Sequence, residues 1–262
     1  YFGGFSALDG NGNFSQSISV TNATIEDNAN RGIHTRGDNA TVTVTQSTFS
    51  GNGNSPASGN PGVSVFARQG ASLTVTESEI VAGGSSDAVL RADNFENGSY
   101  QPNSLEMTVS GSLLDRNGGA TFLAGTISGT AGATQLNGSS NAFQDTGTLL
   151  TTGSAIGSFV NVAGGVEGDF SPFLNSATDT DGGTAGFQGD FSSLTVTTEG
   201  DQVGSFTDNQ RIAEGIDAVD ASGTVAVESG TFVETLAISK SVTLNGAQSG
   251  TPGNDAARGT GE

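Results

Sequence analysis

Three aspartates are spaced as a calcium site requires. Asp179 and Asp181 place carboxylate oxygens on alternate residues before a Gly-Gly pair that allows a tight bend, and the twelfth residue counted from Asp179 is another carboxylate, Asp190. A similar run begins at Asp9, but its twelfth residue is Val20. We therefore expect Asp179, Asp181 and Asp190 to be the ligands of a bound calcium ion. The same residues also fit an Asx turn without metal.

A second set of residues could do acid–base chemistry on a glycan. Arginines recur after similar strand-like segments, at Arg36, Arg68 and Arg91. A catalytic interpretation would combine them with Asp38, Asp87 and Asp93 as acids or calcium ligands. However, these segments contain no adjacent acidic pair or triplet, and spaced arginines also suit a solvated face that neutralises nearby acids. We therefore expect no catalytic residues.

The amino-acid composition excludes several other kinds of cross-link, metal site and nucleophile. The chain has no Cys, which excludes disulfides, a thiolate zinc site and a cysteine nucleophile. His34 is the only histidine, so a metal centre with several histidines is also excluded. We expect His34 to be an ordinary strand residue.

The charge balance limits the possible partners. Eight Lys and Arg residues face 27 Asp and Glu residues, and the formal net charge is −19. A nucleic acid or an anionic membrane needs a positive surface, so we expect neither as a partner. The apolar runs are only a few residues long, which argues against membrane insertion.

These side chains need a scaffold to position them, and an internal repeat indicates which fold supplies it. Four segments share an apolar residue, Val two positions later and a large apolar residue five positions after that: 18–25, 42–49, 73–80 and 107–114. A degenerate fifth copy runs from Leu136 to Phe143. The central valines are 24, 31 and 34 residues apart, which suits one coil per repeat with loops of varying length.

The alternation within each repeat predicts short strands that bury every second side chain. A single coil cannot bury its apolar face alone, whereas stacked coils can. We expect one inward row of Val20, Val44, Val75 and Val109, and another of Ile25, Phe49, Ile80 and Leu114. Threonines and serines flank the valines and should face outward. Such Thr-x-Thr rows resemble ice-binding faces, but threonine is also common on exposed strand positions.

A further short strand follows each repeat, beginning near Gly32, Gly62, Ala88 and Ala120. We expect Gly and Asn at the corners, where positive φ is needed. The fold class predicted from these patterns is all-β, a right-handed parallel β-helix, because parallel crossovers strongly favour that hand.

The pattern changes after residue 149. Residues 150–206 are Gly-rich and the repeat fades there, which predicts a spacer or closing segment of irregular strands and loops at the end of the first β-helix. Ile212, Ile216 and Val219 then have helical spacing, with Asp208 or Asn209 as a candidate N-cap. We expect a short helix that covers the open end of a solenoid.

Two segments carry a family resemblance. TVAVESGTFVETLAISKSVTLNGAQSG, residues 224–250, resembles the opening coil of pectin-lyase-like right-handed β-helices, in the form seen in giant secreted or surface bacterial repeat proteins. There a strand, a Gly-Thr-aromatic turn, a Glu, a second strand, a Lys and a third strand follow in this order. SATDTDGGTAGFQGDFSSLTVTTEGDQVG, residues 176–204, resembles the spacer between tandem β-helix modules.

The resemblance implies a domain organisation. Residues 1–149 would be the last coils of one β-helix, 150–206 the spacer, and 207–262 a capping helix with the first coil of the next β-helix. The chain would then be a segment of a longer polypeptide that spans a module junction.

The same resemblance implies a function without catalysis. We expect a structural module of a large extracellular repeat protein: an adhesin stalk, a surface filament or a matrix component, secreted or at the cell surface. Its partners would be neighbouring modules, copies of the same chain or a surface polysaccharide, and calcium would be its only cofactor. The alternative is a carbohydrate-active β-helix, either a polysaccharide lyase or a glycan-binding module.

Overall fold

The fold is built mainly from short parallel strands. The computed structural model describes residues 5–8, 17–36, 40–54, 62–68, 71–93, 95–96, 99–100, 105–119, 121–126, 134–163, 166–198 and 211–251. In these ranges there are 24 strands, β1–β24, and two short helices, α1 and α2. Neither helix has the length and apolar character needed to cross a membrane.

Eighteen strands form three six-stranded sheets, named here sheets A, B and C. In spatial order, sheet A contains β1 (Phe5–Leu8), β4 (Arg31–Arg36), β7 (Val63–Arg68), β10 (Ala88–Asp93), β15 (Thr121–Thr126) and β19 (Val160–Ala163). Sheet B contains β2 (Ser17–Thr21), β5 (Thr41–Thr45), β8 (Ser72–Thr76), β13 (Leu105–Ser110), β16 (Thr134–Asn137) and β20 (Val166–Asp169).

Sheet C contains, again in spatial order, β3 (Thr24–Glu26), β6 (Thr48–Asn52), β9 (Glu79–Ala82), β14 (Leu113–Asp115), β17 (Ala142–Asp145) and β18 (Thr148–Leu149). Only the β17–β18 pair is antiparallel in these three sheets. The two-strand pair β11 (Phe95–Glu96) and β12 (Ser99–Tyr100) lies between β10 and β13 in the chain. The chain visits sheets A, B and C in turn, and each of the first five rounds adds one parallel strand to each sheet. Strand β18 then pairs antiparallel with β17, and a sixth round adds β19 to sheet A and β20 to sheet B. We call these three sheets the stack.

The strand registers confirm the predicted inward rows. In sheet B, Val20 pairs with Val44, Val44 with Val75, and Val75 with Val109. In sheet C the row is Ile25, Phe49, Ile80 and Leu114, and Phe143 of the degenerate fifth repeat extends it. The members of both rows are at most 7% exposed and belong to one apolar core. The two-residue period of a strand therefore predicted which side chains would be buried.

The corner between sheets B and C is built from two residues in the first four coils. The first residue has positive φ at each coil, between 50° and 60°, at Asn22, Gln46, Glu77 and Gly111. The second is a serine at three coils, and its Oγ accepts the backbone N–H one coil earlier: Ala23 N to Ser47, Ser47 N to Ser78, and Ser78 N to Ser112. Asn141 Oδ1 continues this ladder from Ser112 N at 2.9 Å.

The corner differs from the prediction of Gly and Asn in one respect, because Gln46 and Glu77 also adopt positive φ. Each of them donates its backbone N–H to the next coil, to Thr76 O and Ser110 O respectively. These inter-coil hydrogen bonds help to stabilise a conformation that costs a side-chain-bearing residue about 1–2 kcal/mol.

Two sheets continue beyond residue 149. Helix α1 (Gly153–Gly157) begins after Thr152, whose Oγ1 caps Ala155 N. After it β19 joins sheet A and β20 joins sheet B, both in parallel register. Strands of the stack therefore occur inside 150–206, the range predicted as a spacer, where Gly-rich composition hides the two-residue period.

The last part of the chain forms a separate four-stranded sheet, sheet D. Its order is β21 (Phe173–Leu174), β22 (Ser193–Val196), β23 (Thr224–Val227) and β24 (Thr243–Asn245), with β22, β23 and β24 parallel. Helix α2 (Arg211–Ala218) confirms the predicted helix, while its candidate caps Asp208 and Asn209 lie outside the described residues.

After the segment between β23 and β24, the chain returns to lie parallel to β23, since Thr243 pairs with Thr224. Residues 228–242 contain no strand, unlike the second strand that the resemblance implies. The start of this segment still lies beside β22, since Glu228 N donates to Val196 O at 2.9 Å.

Candidate functional site

A cluster of basic and aromatic side chains lies on the face of sheet A opposite the apolar core; Arg31, His34 and Phe66 of this cluster are buried, and Arg68 and Arg91 are partly exposed. His34 pairs with Phe66, and Phe66 pairs with Arg91, in the row that alternates with the buried row of Ile33, Val65 and Leu90. Alternation places the two rows on opposite faces of the sheet. The rings of His34 and Phe66 stack at 5.0 Å between centroids, with an angle of 11° between their planes.

Three guanidinium groups surround the Phe66 ring. The Cζ atoms of Arg31, Arg68 and Arg91 lie 4.9, 5.9 and 6.0 Å from its centroid, within the range of a cation–π interaction. We call Arg31, His34, Phe66, Arg68 and Arg91 the arginine cluster. With Arg36, the three strands β4, β7 and β10 carry four of the eight cationic residues of an acidic chain.

The positive charges of the arginine cluster lie close enough to repel one another. Burial lowers the pKa of Arg31, and repulsion by Arg68 and Arg91 lowers it further, whereas Asp93 acts in the opposite direction. Asp93 forms an ion pair with Arg91, with 2.8 Å between Nε and Oδ2. Arg31 Nη1 also lies 3.4 Å from His34 Nδ1. Guanidinium groups with several donors each suit carboxylate or sulfate ligands.

Arg36, Arg68 and Arg91 lie in two different rows across sheet A, and not in the single row that their spacing suggested. Arg36 pairs with Arg68, but Arg68 then pairs with Asp93, and Arg91 lies in the row of Phe66. Asp87 is exposed, and its Oδ2 accepts the N–H of Gly62 at 2.9 Å. The Arg36 side chain and Asp38 lie outside the described residues.

Sequence reasoning missed Arg31 and Phe66. Arg31 immediately precedes a predicted strand and Phe66 follows another, so extending both strands by one residue would have included them. Arg31 and Phe66 come into contact because of the register between β4 and β7. The sequence does not reveal this register, because the loops between the strands differ in length. His34 is confirmed as a strand residue and is buried.

The three predicted calcium ligands lie in one segment before β22, and each is engaged with its own loop. Asp179 Oδ1 accepts the N–H groups of Asp181 and Gln188, both at 3.1 Å. Asp181 Oδ2 accepts the Thr184 hydroxyl at 2.7 Å. Hydrogen bonds from the Ser192 side chain and backbone lower the pKa of Asp190.

These contacts have the form of Asx turns. Within the described ranges, no three His, Cys, Asp or Glu side chains are grouped as a metal site. The calcium site stays a prediction.

The sequence did not indicate a contact between the loop and the stack. Burial raises the pKa of Glu79 in β9, and repulsion by Asp179 and Asp115 raises it further. Phe187 N donates to Glu77 O at 3.1 Å, and Phe187 packs in an apolar cluster with Leu113. The segment before β22 therefore lies against the corner of sheets B and C.

Comparison of the chain with models of protein families, with curated protein sequences and with solved structures found no match.

Proposed function

We propose that the stack is a right-handed parallel β-helix. The support is the cyclic order in which successive strands join sheets A, B and C, with registers that superpose like residues over as many as five coils. A parallel crossover between neighbouring strands of one sheet is almost always right-handed. Sheet D would begin a second β-helix, because β24 returns beside β23 after one round.

We further propose that the chain is a structural module of a large extracellular repeat protein, without catalysis. The observation that carries this proposal is the set of three continuous strand ladders around one apolar core. Such ladders bind each coil only to its neighbours and produce a stiff rod. The negative surface would keep the rod soluble, and neighbouring modules or copies of the chain would be its partners.

Electron microscopy of the native full-length protein tests the structural proposal. Rods with a repeating joint would support it, and antibody labelling of this segment should recur along the rod. Compact particles in which this segment occurs once, on a globular body, would contradict it.

The arginine cluster favours a second candidate function, binding of an acidic surface polysaccharide. Retention on an immobilised polyuronate should exceed retention on a neutral glucan, because guanidinium groups bind carboxylates. The Arg68→Gln and Arg91→Gln variants should lose this preference, while Arg116→Gln, outside the cluster, should retain it. Equal retention on both polymers would eliminate this candidate, and release of unsaturated sugars would instead indicate a lyase.

A further inference from the structure

Helix α2 lies between the stack and the coil that follows it. We call residues 224–245, from β23 to the end of β24, the end coil. The helix packs on sheet D at Gly215, where an added Cβ would lie 2.6 Å from Val196 and 3.1 Å from Val225. Ile216 and Val219 are buried in the same apolar cluster as Val225.

The stack holds the start of the helix through a buried ion pair. Arg211, the first residue of α2, has Nη1 3.2 Å from Oδ1 of Asp169, the last residue of β20. The two side chains are only 6% and 9% exposed. Asp169 is oriented by the Ser171 N–H, which it accepts at 3.0 Å. Removing one partner of such a buried ion pair strongly destabilises the protein, because the other charge is left buried and uncompensated.

The end coil is also linked to the preceding chain outside helix α2, because β23 pairs with β22 in parallel register and residues of β22 share an apolar cluster with sheet C. Gly153 N donates to Oε1 of Glu228, just after β23, at 3.0 Å. Leu113 and Ala142 of sheet C lie in one apolar cluster with Leu194, Val196 and Val225 of sheet D. Sheet D is therefore seated on the stack by apolar contact as well as by polar contacts.

The end coil has little core of its own. Val233, Ile238 and Leu244 are 82%, 56% and 39% exposed, and Phe232, Leu236 and Val242 are only partly buried. Its extended part packs Phe232, Leu236 and Val242 against the cluster that contains Ile216, and it makes polar contacts to both ends of α2. Glu234 accepts the N–H groups of Ile212 and Ala213, and Lys240 donates to the carbonyl groups of Asp217 and Val219.

We infer that helix α2 couples the two parts in one direction: the stack is stable by itself, and it orders the end coil through α2. The Asp169–Arg211 pair anchors the helix to the stack, and Glu234 and Lys240 anchor the end coil to the helix. A completed stack would thereby template the first coil of the next one. This inference rests on the structural role proposed above. The coupling is measured within a single chain, whereas rod formation requires the full-length protein. Failure of the coupling can therefore be distinguished from failure of rod assembly.

Hydrogen exchange by mass spectrometry on the whole chain tests the coupling. In the Asp169→Asn and Arg211→Met variants, amides of α2, β23 and β24 should exchange roughly 100-fold faster, because each change leaves one buried group uncompensated. Amides of β5 and β8 should exchange as in the unmodified chain. Lys240→Met should speed exchange in α2 and the end coil and leave β20 unchanged.

A matched control is available within the stack. Arg116 and Asp145 form an ion pair with 3.1 Å between Nε and Oδ2, and their side chains are 13% and 28% exposed, more than those of Arg211 and Asp169. Asp145→Asn should speed exchange near β14 and β17 without affecting the end coil. Unchanged protection of the end coil in both Asp169→Asn and Arg211→Met would overturn the inference. Simultaneous loss of protection in β5, β8 and the end coil, in any of the junction variants, would also overturn it, because the coupling would then not be directional.

Discussion

Glu234 and Lys240 bind opposite ends of the same helix. The Glu234 carboxylate accepts Ile212 N and Ala213 N, each at 3.0 Å, and Lys240 Nζ donates to Asp217 O at 2.9 Å and also to Val219 O. An acid at the N-terminus and a base at the C-terminus both complement the helix dipole. These are the Glu and the Lys of the segment that resembles an opening coil, so their order in the sequence has a physical reason.

Glu234→Ala should destabilise helix α2. The change removes two hydrogen bonds from N-terminal N–H groups, and losing such a cap costs about 0.5–2 kcal/mol. Hydrogen exchange of α2 amides should report this loss. Glu26→Ala, at an exposed position on β3, is the control and should leave α2 unchanged. Equal α2 protection in Glu234→Ala and the unmodified chain would show that the carboxylate does not cap the helix.

Phe49→Ala should strongly destabilise the stack. Phe49 is fully buried in the inward row of sheet C, between Ile25 and Ile80. Truncation of a buried phenylalanine costs about 3–5 kcal/mol, because a cavity remains. Thr43→Ala, on the outward face of sheet B, should cost no more than about 0.5 kcal/mol. Urea unfolding measures both, and similar midpoints would contradict the inward placement of Phe49.

Thr146→Gly should stabilise the protein. Thr146 is exposed, with φ of 50°, a region that β-branched residues rarely adopt. Glycine removes this strain and keeps the backbone N–H that donates to Asp115 Oδ1, so we expect a gain of about 1 kcal/mol. Thr148→Gly, in the neighbouring strand β18, should instead lose stability by about 0.5–1 kcal/mol. Thermal unfolding distinguishes the two variants, and a lower midpoint for Thr146→Gly would contradict the turn geometry.

Glu79→Gln should stabilise the protein at neutral pH and have little effect in acid. The pKa of Glu79 is raised in the folded protein, first by burial and then by Asp179 and Asp115. Ionisation of Glu79 therefore destabilises the folded state, and this loss develops as the pH rises from its ordinary value of 4.5 through the folded pKa.

Urea unfolding of the Glu79→Gln and unmodified chains over this pH range measures the difference. Glu26→Gln, at an exposed position on β3, serves as the control for removal of a carboxylate. A stability difference between Glu79→Gln and the unmodified chain that stays constant with pH would contradict the repulsion between these carboxylates.

The calcium hypothesis predicts a metal-dependent gain in stability. Calcium should raise the melting temperature of the unmodified chain, because a ligand that binds only the folded state stabilises it. Asp179→Asn should abolish the increase, while Asp87→Asn, which is exposed on a different loop, should retain it. A melting temperature independent of calcium, with no heat of binding in calorimetry, would leave the Asx-turn interpretation.

Particular residues show how far sequence reasoning reached. The alternation around Val44 and the spacing from Val44 to Phe49 predicted both inward rows, since each depends only on local periodicity. The helix at 211–218 was predicted for the same reason. Irregular strands were expected after residue 149, but the parallel register of β19 and β20 with the stack was not predicted, because Val160 and Val166 lie in Gly-rich sequence without the repeat. For the candidate site, the sequence identified Arg68 and Arg91, but not the Phe66 ring that both of them contact.

The sequence by itself determined the all-β class, the parallel pairing of like residues and the side chains that form the core, because burial follows the two-residue period of a strand. Only the tertiary structure decided that Arg31, Arg68 and Arg91 meet around Phe66, and that Asp169 meets Arg211. Those contacts join residues far apart in the chain, and loops of unequal length set the register between them. Local periodicity carries no information about such distances, whereas the packing of whole coils determines them.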